Sequence, residues 1–416
     1  MDYYQRIVDE ELGRKLHATG GVVLEGPKVC GKTTTARQFA ASEVRFDVDE
    51  NAREAVKVDP SLVLEGETPR LIDEWQLEPT IWNHIRREID KRPEPGQFIL
   101  AGSAVPADDI TRHTGAGRLT RIRMRPMTLF ERKQSTGEIS LKSLMEGYEA
   151  RSQDPGVSLH EIAEFISIGG WPIHLGLKTE HALEAVRGYL DEIRRVDIER
   201  VDHTKRDPDK IGTLLHSLAR NVSTTVSAST LARDTADTDE QVHPQTVREY
   251  LEVLSRLQII EDQPAWSTHL RSKIRLRKSP KRHFVDPSLA VAAVRANPDR
   301  LLKDLNYMGF LFESLVVRDL RVFAQALDGQ VYHYRDEQGC EVDAIVERAD
   351  GQWGAFEIKL GPGRVDEAAE SLRNFVAKID TEKCGEPAVM GVITGRGMGY
   401  VREDGVAVVP IGALGP

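Results

Sequence analysis

The run Gly26-Pro-Lys-Val-Cys-Gly-Lys-Thr33 constrains this chain more than any other part of it. It has the G-x-x-x-x-G-K-T spacing of a Walker A loop, with the apolar run Gly21–Glu25 before it and the helix-compatible stretch T-T-A-R-Q-F-A after it. A strand that feeds a glycine-rich turn into a helix makes a cradle for phosphate. Gly26 and Gly31 let backbone N–H groups turn toward phosphate oxygens, and the helix N-terminus adds positive potential. Pro27, Lys28 and Thr34 complete the expected nucleotide lining. Lys32 is expected to neutralise the β- and γ-phosphates, and Thr33 to give its hydroxyl to Mg2+. ATP and Mg2+ are the expected ligands.

Two further apolar runs end where such a loop needs partners. P-R-L-I-D-E-W-Q closes on Asp73 and Glu74: Asp73 in the Walker B role for Mg2+, Glu74 to orient or deprotonate the attacking water. The competing role for Asp73 is to cap the helix carrying Trp82 and Ile85. Q-F-I-L-A-G-S-A ends in Ser103, where AAA-type ATPases carry a γ-phosphate sensor; a helix N-cap is the alternative. Arg118, in G-A-G-R-L, reads as an arginine finger or sensor arginine, or as a salt-bridged surface residue.

With 416 residues the chain has length for two to three domains, at roughly 150 residues each. At 40% hydrophobic and 29% charged it reads as globular, which excludes wholesale disorder. The N-terminus lacks a basic region followed by an apolar run, and no uncharged apolar stretch is long enough to span a bilayer, so a cytoplasmic protein without membrane contact is expected. Cys30, Cys340 and Cys384 are too dispersed for a disulfide framework or a zinc pattern. A net charge of −10 argues against coating of nucleic acid by the whole surface and leaves room for local basic patches. Arg118, Arg121, Arg123 and Arg125 make one; Arg271, Lys273, Arg275, Arg277, Lys278, Lys281 and Arg282 make another.

Residues 126–206 read as a helical connector punctuated by the turn I-G-G-W-P, with Leu183, Val186, Leu190 and Ile193 on one helical stripe. Residues 207–290 read as a winged helix-turn-helix. Ile211, Leu214, Leu215 and Leu218 mark the first helix, Ser229 caps the second, and Val247, Leu251 and Leu254 mark a third from about Gln245 to Leu257; a basic hairpin follows. Gln245, Thr246 and Arg248 would lie at the start of a recognition helix, with the hairpin's arginines and lysines on phosphates. The partner expected on this reading is nucleic acid, DNA in preference to RNA. A protein contact is the alternative.

Residues 291–416 place Glu313 on an apolar helix, Asp343 on a strand-like run, and Glu357 and Lys359 two apart on the next. Spacing of two puts Glu357 and Lys359 on one strand face. A carboxylate on an apolar helix needs a partner, because burying it alone costs several kcal/mol. Together the four resemble a PD-(D/E)xK nuclease core: Glu313, Asp343 and Glu357 as metal ligands, Lys359 as the residue that positions the nucleophile.

The order of these segments resembles that of a large prokaryotic family of AAA-type ATP-binding proteins with a C-terminal nuclease-like domain of unknown function. The likeness rests on the Walker A run, L-I-D-E-W-Q, I-L-A-G-S-A, G-G-W-P, Y-L-E-V-L, H-F-V-D-P, G-F-L-F-E-S-L-V-V, R-D-E-Q-G-C-E-V-D and E-I-K. It implies ATP binding and adds little about substrate. One departure is the lack of a clear second arginine sensor of the kind ring-forming AAA machines use. The expected architecture is α/β and multidomain: a P-loop AAA-type ATPase core over 1–125, the connector over 126–206, the winged unit over 207–290 and the PD-(D/E)xK-like α/β domain over 291–416. The expected function is an Mg2+-dependent ATPase that couples nucleotide state to a C-terminal half acting on nucleic acid. The alternative is a nucleotide switch or scaffold that grips a protein partner, toxin-like in one version, with its carboxylate cluster inert.

Overall fold

Gly21–Glu25 forms strand β1, and its Val22, Val23 and Leu24 are wholly buried. Continuous apolar runs of this kind are what a parallel sheet covered on both faces demands. The other strands of its sheet are β2 (Ser42–Arg45), β3 (Arg70–Asp73), β4 (Phe98–Gly102) and β5 (Leu119–Arg123). They lie in the order β2-β3-β4-β1-β5, all parallel. Alternate side chains divide between two cores. Val23, Ile72, Phe98 and Leu100 pack with Trp82 and Ile85; Val22, Leu24, Leu71 and Ile99 pack with Leu12, Leu16 and Met124. The register sets Glu25 beside Gly102 and Asp73 beside Ala101, so three strands end on one edge. In open α/β sheets that carboxyl edge is where ligands bind.

This computed structural model describes residues 3–92, 94–103, 114–197, 207–235, 243–268 and 278–416. Among them no helix is long and apolar enough to cross a membrane. The stripe Leu183, Val186, Leu190 and Ile193 is buried along the helix Thr179–Glu192 and the turn after it. Helices Pro208–Arg220, Ala228–Asp234 and Pro244–Arg256 follow. Antiparallel bridges then join Ile260 to Phe284 and Gln263 to Lys281. Arg271, Lys273, Arg275 and Arg277 of the expected basic hairpin lie outside the described residues.

The base of that hairpin is laced on two sides: Thr224 bridges Arg282, and Ala265 bridges His333. His333 belongs to β6 (Gly329–Arg335), the edge strand of a second sheet. The others are β7 (Glu341–Arg348), β8 (Trp353–Lys359), β9 (Val389–Thr394), β10 (Tyr400–Val401) and β11 (Ala407–Pro410), in the order β10-β11-β9-β8-β7-β6. The helix Leu305–Ala326 supplies Leu315, Leu320 and Phe323 to the core with Val346 and Phe356; Leu372 and Phe375, from helix Val365–Lys378, pack with Ile345 and Trp353.

One apolar cluster runs from Leu129 through Leu190, Leu215, Leu254, Leu289 and Leu320 to Leu414. Divisions at 206 and 290 therefore do not separate hydrophobic cores. The chain end closes this body, because Leu414–Gly415 pairs in parallel with Ile139–Ser140 of the connector.

Candidate nucleotide site and a lysine-bridged carboxylate chain

The loop after β1 is bent by its sequence. A Cβ at Gly26 would lie 2.3 Å from the Met124 carbonyl oxygen, and Gly31 has φ +103, a value only glycine adopts without strain. The helix Lys32–Ala36 begins directly after it. Lys32, 6% exposed, donates from Nζ to the carbonyls of Gly26 at 2.9 Å and Pro27 at 2.8 Å, so its ammonium lies inside the loop. Thr33 Oγ1 donates to Asp73 at 2.9 Å. Burial raises the Asp73 pKa and the Thr33 hydrogen bond opposes the rise.

Glu74 follows Asp73 in the left-handed region at φ +53, and its carboxylate accepts from Gln76 Nε2. Ser103, buried, is the first residue past β4, between the edge positions of β1 and β3. Gly26, Lys32, Thr33, Asp73, Glu74 and Ser103 thus share one sheet edge, and Pro27, Lys28 and Thr34 flank them in the loop and helix. An ammonium in a loop of turned backbone, beside a hydroxyl–carboxylate pair, has the donor chemistry of an Mg2+-nucleotide site.

Arg118 is not brought there. Its carbonyl accepts from Gly21 N at the opposite end of β1, and its guanidinium pairs with Asp90 at 2.6 Å. Five strand residues at about 3.3 Å each separate it from the loop. Within one chain the finger or sensor reading therefore fails on distance, and the salt-bridged reading matches what is seen.

The C-terminal carboxylates form a chain of alternating charge. Lys281 Nζ donates to Glu313 Oε1 at 2.7 Å and Asp343 Oδ1 at 3.2 Å. Lys359 Nζ donates to Asp343 Oδ2 at 3.2 Å and Glu357 Oε2 at 2.5 Å. Ile358 N also donates to Asp343 Oδ2, at 3.0 Å. Burial pushes the Glu313 pKa up to about 7 against the pull of Lys281. Glu357 is raised by burial and by Asp343, whereas the two lysines hold Asp343 low despite its burial.

This arrangement corrects the metal reading of Glu313, Asp343 and Glu357. Lys281 bridges Glu313 and Asp343, and among the described residues no group of three or more Asp, Glu, His or Cys is arranged to hold a metal ion. The cluster does not fit a divalent cation as it stands. Lys281, expected among the hairpin lysines that meet phosphates, is 5% exposed. Strand alternation gives no signal for it, because His283, Phe284 and Val285 are buried in succession.

Arg6 was also missed, and nothing in Y-Y-Q-R-I-V marks it. Its guanidinium donates to Cys30 O in the loop at 2.9 Å, Glu131 Oε1 at 2.9 Å and Arg125 O at 2.8 Å. The G-G-W-P turn joins the same region. A Cβ at Gly31 would be 3.5 Å from Pro172 Cγ, Met127 N donates to Gly170 O, and Gly170 N donates to Asp286 Oδ2 at 2.9 Å. Asp286 pairs with Arg318 at 2.8 Å, Arg318 with Asp319 at 2.6 Å, and Asp319 accepts from Leu129 N at 3.0 Å. A second buried junction centres on Glu261, whose pKa is held well below normal, against its burial, by Arg125, Arg123 and Arg321.

Residues 19–133 match the family model of an AAA domain, and with the parallel sheet and loop geometry this makes the first third an AAA-type domain with an ATPase-like P-loop fold. Residues 159–300 and 308–414 match two domains of unknown function, DUF8612 and DUF4143. The chain is 28% identical over 358 residues to the uncharacterized proteins Rv2008c of Mycobacterium tuberculosis and Mb2031c of Mycobacterium bovis, covering 84% of this chain and 72% of each relative. Among solved structures, the Walker-type ATPase PABY2304 of Pyrococcus abyssi is similar at TM-score 0.45 and 12% identity, over 70% of this chain and 96% of that one. AMPPCP-bound DnaA of Aquifex aeolicus is similar at TM-score 0.28 and 16% identity, over 61% and 89%.

Proposed function

We propose that the protein is an Mg2+-dependent ATPase whose nucleotide state is passed to a C-terminal half that grips nucleic acid. The observation that carries the ATPase reading is the Thr33–Asp73 hydrogen bond beside a Lys32 ammonium set among the loop carbonyls. Lys32 neutralises the β- and γ-phosphates, and Thr33 and Asp73 hold Mg2+. When bound, the ion offsets charge on the phosphate oxygens. Glu74 orients the attacking water, and Ser103 senses the γ-phosphate from the next strand. Arg118 can serve only a nucleotide held by another copy.

The nucleic-acid reading draws on the unit from Pro208 to Phe284, read as a winged helix. Gln245 and Arg248 are exposed at the start of its third helix, where Arg248 Nη1 donates to Gln245 Oε1 at 3.2 Å, and Thr246 is half-buried between them. DNA is the proposed partner over RNA. A second reading, a nucleotide switch that holds a protein partner, is favoured by the filled carboxylate chain, which leaves the PD-(D/E)xK-like core without a route to cleavage through Glu313, Asp343 and Glu357. The test is ATP turnover of the full chain with and without duplex DNA, beside Arg248→Ala. Stimulation that weakens in the variant supports the first reading. Turnover indifferent to DNA supports the second, and no turnover at all removes the first.

A further inference from the structure

The carboxylate chain holds a cation of its own. Lys281 reaches Glu313 and Asp343 from the hairpin base, and its side chain is 7% exposed. Its backbone is fixed on the hairpin base: Lys281 N donates to Gln263 O at 3.0 Å, and Gln263 N donates to Lys281 O at 2.9 Å. Gln263 Nε2 in turn donates to the carbonyl oxygens of Asp343 at 3.0 Å and Tyr332 at 2.9 Å. The strand that delivers the ammonium is therefore hydrogen-bonded to the strands that carry its targets.

A divalent ion shared by Glu313 and Asp343 would need their oxygens at about 2.0–2.6 Å. The Lys281 ammonium stands between Glu313 Oε1 and Asp343 Oδ1, on the carboxylates that would hold such an ion. Asp343 Oδ2 and Glu357 Oε2 are already held by Lys359. Adding an ion beside Lys281 would set like charges within a few ångströms in a poorly solvated place, where repulsion is strong. Removing the ammonium would leave buried carboxylates uncompensated, which is costly unless another cation enters.

We propose that the Lys281 ammonium fills the cation position of the Glu313–Asp343–Glu357 cluster, so that the cluster is closed to divalent metal and becomes a metal site only when that ammonium is removed. Lys281 is then both the tether between the hairpin and the second sheet and the internal substitute for a metal. The inference does not rest on ATP turnover, and its readout is metal uptake.

The experiment is equilibrium dialysis against Mn2+, with free Mn2+ read by electron paramagnetic resonance, on nucleotide-free full-length protein. Every sample carries Asp73→Asn so that the P-loop pair does not contribute. The parent and the parent with Glu313→Gln should take up equal Mn2+. Lys281→Met should gain about one Mn2+ per chain, and Glu313→Gln on top of it should abolish the gain. Uptake by the parent that Glu313→Gln removes would overturn the closed state, and that comparison needs no Lys281 variant. A folded Lys281→Met protein with no gain would overturn the substitution. Should the Met variant fail to fold, as judged by circular dichroism, Lys281→Gln, a neutral polar side chain one atom shorter, takes its place with the same expected gain.

Discussion

At the scale of single side chains, the proposed function assigns binding to Lys32 and turnover to Glu74. Lys32→Ala should raise the Kd for ATP by about a hundredfold or more, measured by titration calorimetry, because the Lys32 ammonium is the one held among the Gly26 and Pro27 carbonyls of the loop. Glu74→Gln should bind ATP as the wild type does and lose about 10²–10⁴ in turnover. Normal turnover in that variant would remove Glu74 from the mechanism. The buried imidazoles give a pH signature. Burial, then the charge of Lys281, lowers the His333 pKa from 6.5 to about 4, and burial and Arg321 hold His283 well below its usual range. Between the folded His333 value and 6.5 the unfolded chain binds a proton there that the folded chain refuses. The His333 contribution is then full above about pH 6.5 and falls toward pH 4, by about 2–3 kcal/mol. Thermal melts across that range check it; His333→Gln should flatten the fall, and an unchanged slope would exclude His333.

The second scale is that of helices, strands and turns, where the buried ion triad does the joining. Asp286, Arg318 and Asp319 are each about 1% exposed or less and tie the helix Pro287–Ala293 to Leu305–Ala326 and to Leu129. Arg318→Met should cost about 3–5 kcal/mol, read as a large loss of Tm, because two carboxylates stay buried without their cation. Gly170→Ala should be similarly damaging, since its Cβ would fall 2.1 Å from the Met127 carbonyl oxygen. Elements of this kind were legible unevenly. The strands ending at Glu25, Asp73 and Gly102 could be read because parallel strands buried on both faces need unbroken apolar runs. The Walker A loop could be read because its chemistry is local and contiguous. Lys281 could not be read as a member of the carboxylate chain, because its burial comes from a bridge to Gln263 and from Glu313, 32 residues further along. Arg118 failed for the related reason that a strand's two ends look alike in sequence.

Across the whole molecule the loop is joined to the C-terminal half by buried polar contacts. One route runs from Cys30 through Arg6 and Glu131 to Thr128. Another passes from Met127 through Gly170, Asp286 and Arg318 to Asp319. Gln325, near the end of the helix that carries Glu313, donates to Arg123 O at 3.0 Å beside β1. Packed interiors respond to such contacts by switching between arrangements rather than deforming smoothly. The divisions expected at 206 and 290 are likewise crossed by one apolar cluster. The most direct measurement is hydrogen–deuterium exchange of the full-length Glu74→Gln protein with and without Mg2+-ATP, beside Lys32→Ala. Nucleotide should change protection at residues 26–34, at 127–131 and 169–172, and along Leu305–Ala326, with all of these changes absent in Lys32→Ala. Changes confined to residues 26–34 and 70–76 would contradict the coupling, and no change anywhere would contradict nucleotide binding itself.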